Sequence, residues 1–225
     1  MLKYVEACFT NEKLLSEVFI MKLLISAPRC GSTVVQKEFD KQNGIKSEDI
    51  FGWHEYFLEA PHGIKMSIEA KVEFIEALNS NFLYKLHAFH LFYSYKNGIL
   101  LDWFKYFYKD WEWFILKRKD LWRAYLSLQV HKQAGRKHWH KYYEDDEQKF
   151  IKHCNGINFK NDLQVKHSFI HTQKCLNLLK GKIIYLEDRE WSDGLKWNLD
   201  YEQFFDRKEL ELLRKDFQEF SKTFS

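Results

Sequence analysis

The chain has 225 residues, 45% hydrophobic and 30% charged, which is enough for one sizeable core. Its formal net charge of +3 is small for a polyanion binder and sets nucleic acid aside, and no apolar run reaches the ~18 residues that span a bilayer. Four cysteines, Cys8, Cys30, Cys154 and Cys175, make no C-x-x-C pair, so structural zinc is not expected; Cys8, Cys154 and Cys175 are expected to be small buried hydrophobes in a reducing, cytoplasmic setting.

Residues 1–20 carry Glu6, Glu12 and Glu17 and lack the basic start and apolar centre of a signal peptide. They are expected to form an extension or accessory helix ahead of a single domain over 21–225. The run Leu23-Leu24-Ile25 predicts a buried strand over 21–27, and Ser32 and Thr33 open a predicted helix over 32–42. A loop-rich crossover over 44–64 contains Gly52-Trp53-His54-Glu55-Tyr56-Phe57. Helices are predicted over 67–78 and 99–108, with a strand over 81–87 between them. Trp113-Phe114-Ile115-Leu116 marks a third strand over 112–117. Asp120 stands at an N-cap position, and a helix follows from Leu121 to about Gln133. A basic loop over 135–143, helices over 144–153 and 160–179, a strand over 182–186, a short helix near 201–205 and a last helix over 207–222 complete the chain. Short apolar runs alternating with helical stripes predict an α/β fold: a mainly parallel central sheet flanked by helices in three layers. The aromatic content of 18% suits a core and also a site that stacks a purine or a sugar.

The first strand runs into Pro28-Arg29-Cys30-Gly31-Ser32-Thr33 and then a helix. Strand, tight turn and helix N-terminus together make an anion site, because turn amides and the positive end of the helix converge there. A Walker A loop needs a lysine where Ser32 stands, and a cysteine-phosphatase loop needs an arginine where Gln36 stands. Cys30 at a helix start is expected to be somewhat acidic.

The segment Pro28 to Thr33 resembles the 5′-phosphosulfate loop of sulfotransferases, P-[RK]-[ST]-G-[ST]-[ST], departing from it at Cys30. That family transfers a sulfuryl group from 3′-phosphoadenosine-5′-phosphosulfate (PAPS) and has a P-loop nucleoside-triphosphate-hydrolase-like fold. Its second signature is a strand ending in a basic residue, followed by a helix bearing a serine. The segment 114–128, Phe-Ile-Leu-Lys-Arg-Lys-Asp-Leu-Trp-Arg-Ala-Tyr-Leu-Ser-Leu, has that shape and is most similar to the bacterial and phage-type branch that includes trehalose sulfotransferases. The resemblance covers about residues 21–190 and assigns the 3′-phosphate to Arg118 or Lys119, with Ser127. Arg118 lies nine residues before Ser127 and Lys119 eight, and both registers stay open. A strand-end arginine beside a helix N-terminus suits a phosphate dianion on charge alone.

The resemblance implies a sulfotransferase acting on a hydroxyl of a small-molecule or glycan acceptor. Arg29 and the amides of Cys30, Gly31, Ser32 and Thr33 would hold the donor's 5′ end. Glu55 is the first choice as catalytic base, since the related branch uses a glutamate in a Gly-Glu-Pro-x-Glu-Phe-type segment; His54 is its rival. Lys85 closes the second strand and would hold sulfuryl oxygens. His87 or His90 would touch the acceptor, together with His138 and Trp139 of the basic loop. Glu187 and Asp188 are expected to cap the next segment or to pair with the site's cations. No metal is expected, because His138 and His140 lack a third ligand of suitable spacing. Two other readings remain: a non-catalytic nucleotide-binding module on the same scaffold, and a P-loop kinase-like phosphotransferase.

Overall fold

The computed structural model describes residues 22–42, 83–92, 94–95, 98–99, 101–102, 105, 109–135, 147–188 and 199–224. Residues 1–20, the predicted crossover with His54 and Glu55, the predicted helix over 67–78, and His138, Trp139 and His140 lie outside the described residues, as does the side chain of His90.

In chain order the elements are β1 (Lys22–Ser26), α1 (Ser32–Gln42), β2 (Leu83–His87), β3 (Ser94–Tyr95), β4 (Gly98–Ile99), β5 (Glu112–Lys117), α2 (Leu121–Ala134), α3 (Glu147–Cys154), α4 (Leu163–Leu178), β6 (Lys182–Tyr185) and α5 (Arg207–Ser221). Short 3-10 turns cover Ala88–Phe92, Leu186–Asp188 and Tyr201–Phe204. Four strands form one parallel sheet in the order β2-β1-β5-β6. Leu23, Leu24, Ile25 and Ser26 of β1 are all 0% exposed, so both faces of this strand are covered. That is why β1 reads as an unbroken apolar run, whereas Lys182 and Ile183 on the edge strand β6 are exposed. The protein is therefore an α/β fold with a parallel sheet flanked by helices.

Two apolar clusters hold it together. The first joins Leu23, Ile25, Leu86, Ile115 and Leu116 of the sheet to Val35 of α1 and to Cys175 and Leu176 of α4. The second joins Tyr125 of α2, Phe150 of α3, Phe169 of α4, and Leu213 and Phe220 of α5 with Phe204. Burying such side chains stabilises by about 1.5–3 kcal/mol each. Tyr125 stacks on Phe217 at 5.8 Å and meets Phe220 edge-on at 5.2 Å, so much of the described aromatic content serves the core. Aspartates cap α2, α4 and α5. Asp120 Oδ1 accepts from the Arg123 N–H, Asp162 from Gln164 and Val165, and Asp206 from Glu209. Each such cap contributes about 1 kcal/mol.

Two predicted boundaries move. Ile99 does not begin a helix: it pairs with Ser94 in a small antiparallel hairpin, and Leu101, Asp102 and Lys105 carry the helical conformation there. Two residues separate β3 from β4, the preferred hairpin length. Leu186 belongs to the turn after β6 and not to the strand.

Register aligns the strands' C-terminal ends. Ser26 pairs with His87 on one side and Leu116 on the other, and Lys117 pairs with Tyr185. The chain goes from β1 to one neighbour, β2, and returns to the other, β5. The strand order thus reverses between β1 and β5, where open parallel sheets form a crevice beyond their C-terminal ends.

Candidate functional site

Three chain segments meet at that crevice: the turn after β1, the end of β2, and the turn between β5 and α2. The first is tight. The Cys30 N–H donates to the Ala27 carbonyl at 3.4 Å, closing a β-turn with Pro28 at its second position and Arg29 at its third. Arg29 has φ 63°, the left-handed geometry that a type II turn requires at that place. A non-glycine residue there costs roughly 1 kcal/mol or more. Because the Cys30 amide is engaged in this turn, the cradle expected from residues 30 to 33 is narrowed to Gly31, Ser32 and Thr33.

Gly31 follows with φ 77°, and its carbonyl accepts from the Val34 and Val35 N–H groups to start α1. It has no side chain to cap the helix, which suits first-turn amides aimed at an external anion. A Cβ at this position would lie 2.7 Å from Leu186 Cδ2, so glycine is required by conformation and by packing together. Nothing in the sequence signalled the Leu186 contact.

Cys30 differs from expectation. Its side chain is buried in the sheet core, and burial pushes the thiol up to about 12, outweighing the downward pull of the Arg118 and Arg29 charges. The thiol is thus buried and not acidic. Cys154 and Cys175 are buried as well, as expected for small hydrophobes.

Cationic and polar side chains gather around the turn. Arg29 Nε donates to Ser127 Oγ at 3.2 Å, joining two segments 98 residues apart. Ser127 faces inward from α2 and is buried. Lys85 is buried too, and its Nζ donates to Thr33 Oγ1 at 3.5 Å. Ser26 Oγ and His87 Nδ1 are 3.4 Å apart. Ser26 and His87 are register partners, and Lys85 lies two residues before His87, so all three share one face of the sheet. Ser26 escaped notice in the sequence because it stands inside the apolar run.

Beyond β5 the two basic residues separate. The Arg118 side chain is 10% exposed and that of Lys119 is 57% exposed. Each pairs with a carboxylate from the turn after β6: Arg118 with Glu187, Lys119 with Asp188. Glu187 also accepts from the Lys119 N–H at 3.0 Å and the Asp120 N–H at 3.4 Å. Burial alone would raise the Glu187 carboxyl, but the Lys119 amide and the Arg118 guanidinium hold it below the usual carboxylate range. The expectation that Glu187 and Asp188 pair with the basic residues is met.

A cavity of about 290 Å³ lies beside the first turn of α2, between Trp122, Arg123, Leu126 and Tyr201. Its polar groups are already used: Asp120 caps α2, and Glu202 accepts from Trp122 and Arg214. Among the described residues, no three His, Cys, Asp or Glu side chains gather as a metal site, and no helix is long and apolar enough to cross a membrane.

No protein-family model matches the chain, and no curated protein matches it either. A functional reading therefore rests on the residues and geometry of this crevice.

Proposed function

We propose that the protein is a sulfotransferase of P-loop-like fold, using PAPS as donor and a hydroxyl of a small polar molecule or glycan as acceptor. The observation that carries this reading is the hydrogen bond from Arg29 to Ser127. The two segments that resemble the family's two signatures are distant in sequence and adjacent at the strand-order reversal. On this reading the donor is an elongated anion with two phosphate ends. One end would lie against Arg29, the amides of Gly31 to Thr33, and Lys85; the other against Arg118 and Ser127. Arg118 is the better choice over Lys119, because its side chain is nearly enclosed while Lys119 is exposed.

The donor supplies the sulfuryl group and a nucleotide leaving group. The acceptor oxygen forms the new S–O bond as the bond to the bridging phosphate oxygen breaks, and the acceptor proton passes to a base. The protein's part is to hold these groups in line and to neutralise charge that builds on the leaving oxygen. Arg29 and the turn amides would do the latter without giving up a proton, since a guanidinium stays protonated. Lys85 would hold sulfuryl oxygens. Glu55 is proposed as base with His54 as rival; His87, beside Lys85 on the same face, is the third candidate and otherwise an acceptor contact.

Isothermal titration with 3′-phosphoadenosine-5′-phosphate and with AMP tests the reading. A clear preference for the 3′-phosphorylated nucleotide is expected, followed by sulfate transfer to hydroxyl acceptors. Equal or absent binding of the two nucleotides sinks it.

A further inference from the structure

The pairing of Arg118 with Glu187 carries more than charge balance. About nine-tenths of the Arg118 side chain is buried, and Glu187 takes only its Nε. Among the described residues, the two terminal nitrogens, Nη1 and Nη2, make no hydrogen bond. Four of the five N–H donors of the guanidinium are thus left for solvent or a ligand. A phosphate is the ligand whose oxygens match two parallel N–H groups.

The carboxylate itself is well anchored. It accepts from Arg118 Nε and from the backbone N–H groups of Lys119 and Asp120, so it is bound into the turn from β5 to α2. The preceding residue, Leu186, is packed against Gly31 in the turn after β1. The segment Leu186–Asp188 therefore touches both proposed anion sites, and its position is fixed at two points.

We infer that Glu187 is the positioning residue of the 3′-phosphate site: by holding Arg118 through Nε, it turns the Nη edge of the guanidinium toward the 3′-phosphate of the donor. This rests on the sulfotransferase reading proposed above. Glu187 acts through Arg118 and does not touch the donor. The alternative arrangement, in which the carboxylate is a stand-in that the phosphate must displace, would require three hydrogen bonds to break together. It predicts the opposite result on removal.

The test is titration of 3′-phosphoadenosine-5′-phosphate and of AMP into the full chain, as wild type, Glu187→Ala, Glu187→Gln, Arg118→Ala and the Glu187→Ala/Arg118→Ala double variant. Loss of one oriented charge-assisted contact is expected to weaken the 3′-phosphorylated nucleotide by about tenfold or more in Glu187→Ala, with AMP within about twofold of wild type. Glu187→Gln keeps an oxygen for Nε and should fall between. In the Arg118→Ala background, Glu187→Ala should add nothing. Tighter binding of the 3′-phosphorylated nucleotide in Glu187→Ala overturns the inference, and so does an equal loss for both nucleotides. Should Glu187→Ala fail to fold, a Glu187→Gln protein with the wild-type ratio of the two affinities overturns it. A wild type that does not distinguish the nucleotides sinks the sulfotransferase reading and this inference with it. A discriminating wild type with an unaltered ratio in both Glu187 variants sinks the inference alone.

Discussion

Arg29 Nε donates to Ser127 Oγ at 3.2 Å, so the turn after β1 and the middle of α2 are tied together across the crevice. A single neutral acceptor bonded to a charged donor is worth about 1.5–3 kcal/mol at most. Ser127→Ala is expected to lower stability by about 1 kcal/mol, read from chemical denaturation, because Arg29 can recover water as a partner. Its larger effect should be on affinity for 3′-phosphoadenosine-5′-phosphate. Unchanged affinity would separate Ser127 from the proposed site.

Position 29 allows backbone strain to be measured apart from charge. Arg29→Ala and Arg29→Gly both remove the guanidinium, but only glycine accepts φ 63° without penalty. The glycine variant should be more stable than the alanine variant by roughly 1 kcal/mol. Both should lose nucleotide binding alike. Equal stabilities would mean that the left-handed turn relaxes.

Gly31→Ala meets two obstacles, the left-handed backbone and Leu186 Cδ2 at 2.7 Å from the new Cβ. A loss of about 2 kcal/mol or more is expected, since each obstacle alone costs about 1 kcal/mol or more. Thermal melts of the purified variant would measure it. A melt equal to wild type would show that the segment after β6 yields easily.

The Cys30 thiol, raised to about 12 from an ordinary 9.0, contributes stability in full below pH 9. As pH climbs from there to the folded value, the unfolded chain releases the proton first, and that stability is lost. At neutral pH, alkylation of Cys30 by iodoacetamide should require unfolding, which mass spectrometry of the labelled peptide would detect. Cys30→Ser should destabilise by about 1–3 kcal/mol, because a hydroxyl would be buried in an apolar setting. Rapid labelling of the native protein would contradict the burial.

Glu187 acts in the opposite direction. Its carboxyl is held below the usual range, so its contribution is present above the unfolded value of about 4.3 and is lost as pH falls through the folded value. Glu187→Gln should therefore be less stable than wild type at neutral pH, and the difference should shrink in acid. A difference that persists at pH 2 would assign the loss to shape and not to charge.

The parts of the fold that could be read in the sequence are those fixed by local chemistry. The run from Leu23 to Ile25 had to be strand because it is apolar on both faces, and Asp120 had to cap because its carboxylate reaches the Arg123 amide. The order of Pro28, Gly31 and Arg118 pointed to anion sites by residue type. Other features depend on contacts that no local pattern encodes. Leu186 limits Gly31 across the sheet, and Cys30 is not acidic because of the core behind it. The separate fates of Arg118 and Lys119 follow from alternation at a strand's end combined with the turn after β6. Charge at positions 117–119 was visible, but which charge turned inward was not.

The helix α4 lends side chains to both apolar clusters, Phe169 to one and Cys175 and Leu176 to the other. Neither cluster can therefore melt without withdrawing support from its neighbour, and heat should dismantle both in one cooperative transition. Ser127 rides on α2, flanked by residues of the helical cluster, while Arg29 rides on the sheet. The bond between these two residues therefore spans the two layers. The crevice thus straddles the mechanical seam of the protein, and anything that grips both sides of it should raise the melting temperature of the whole chain.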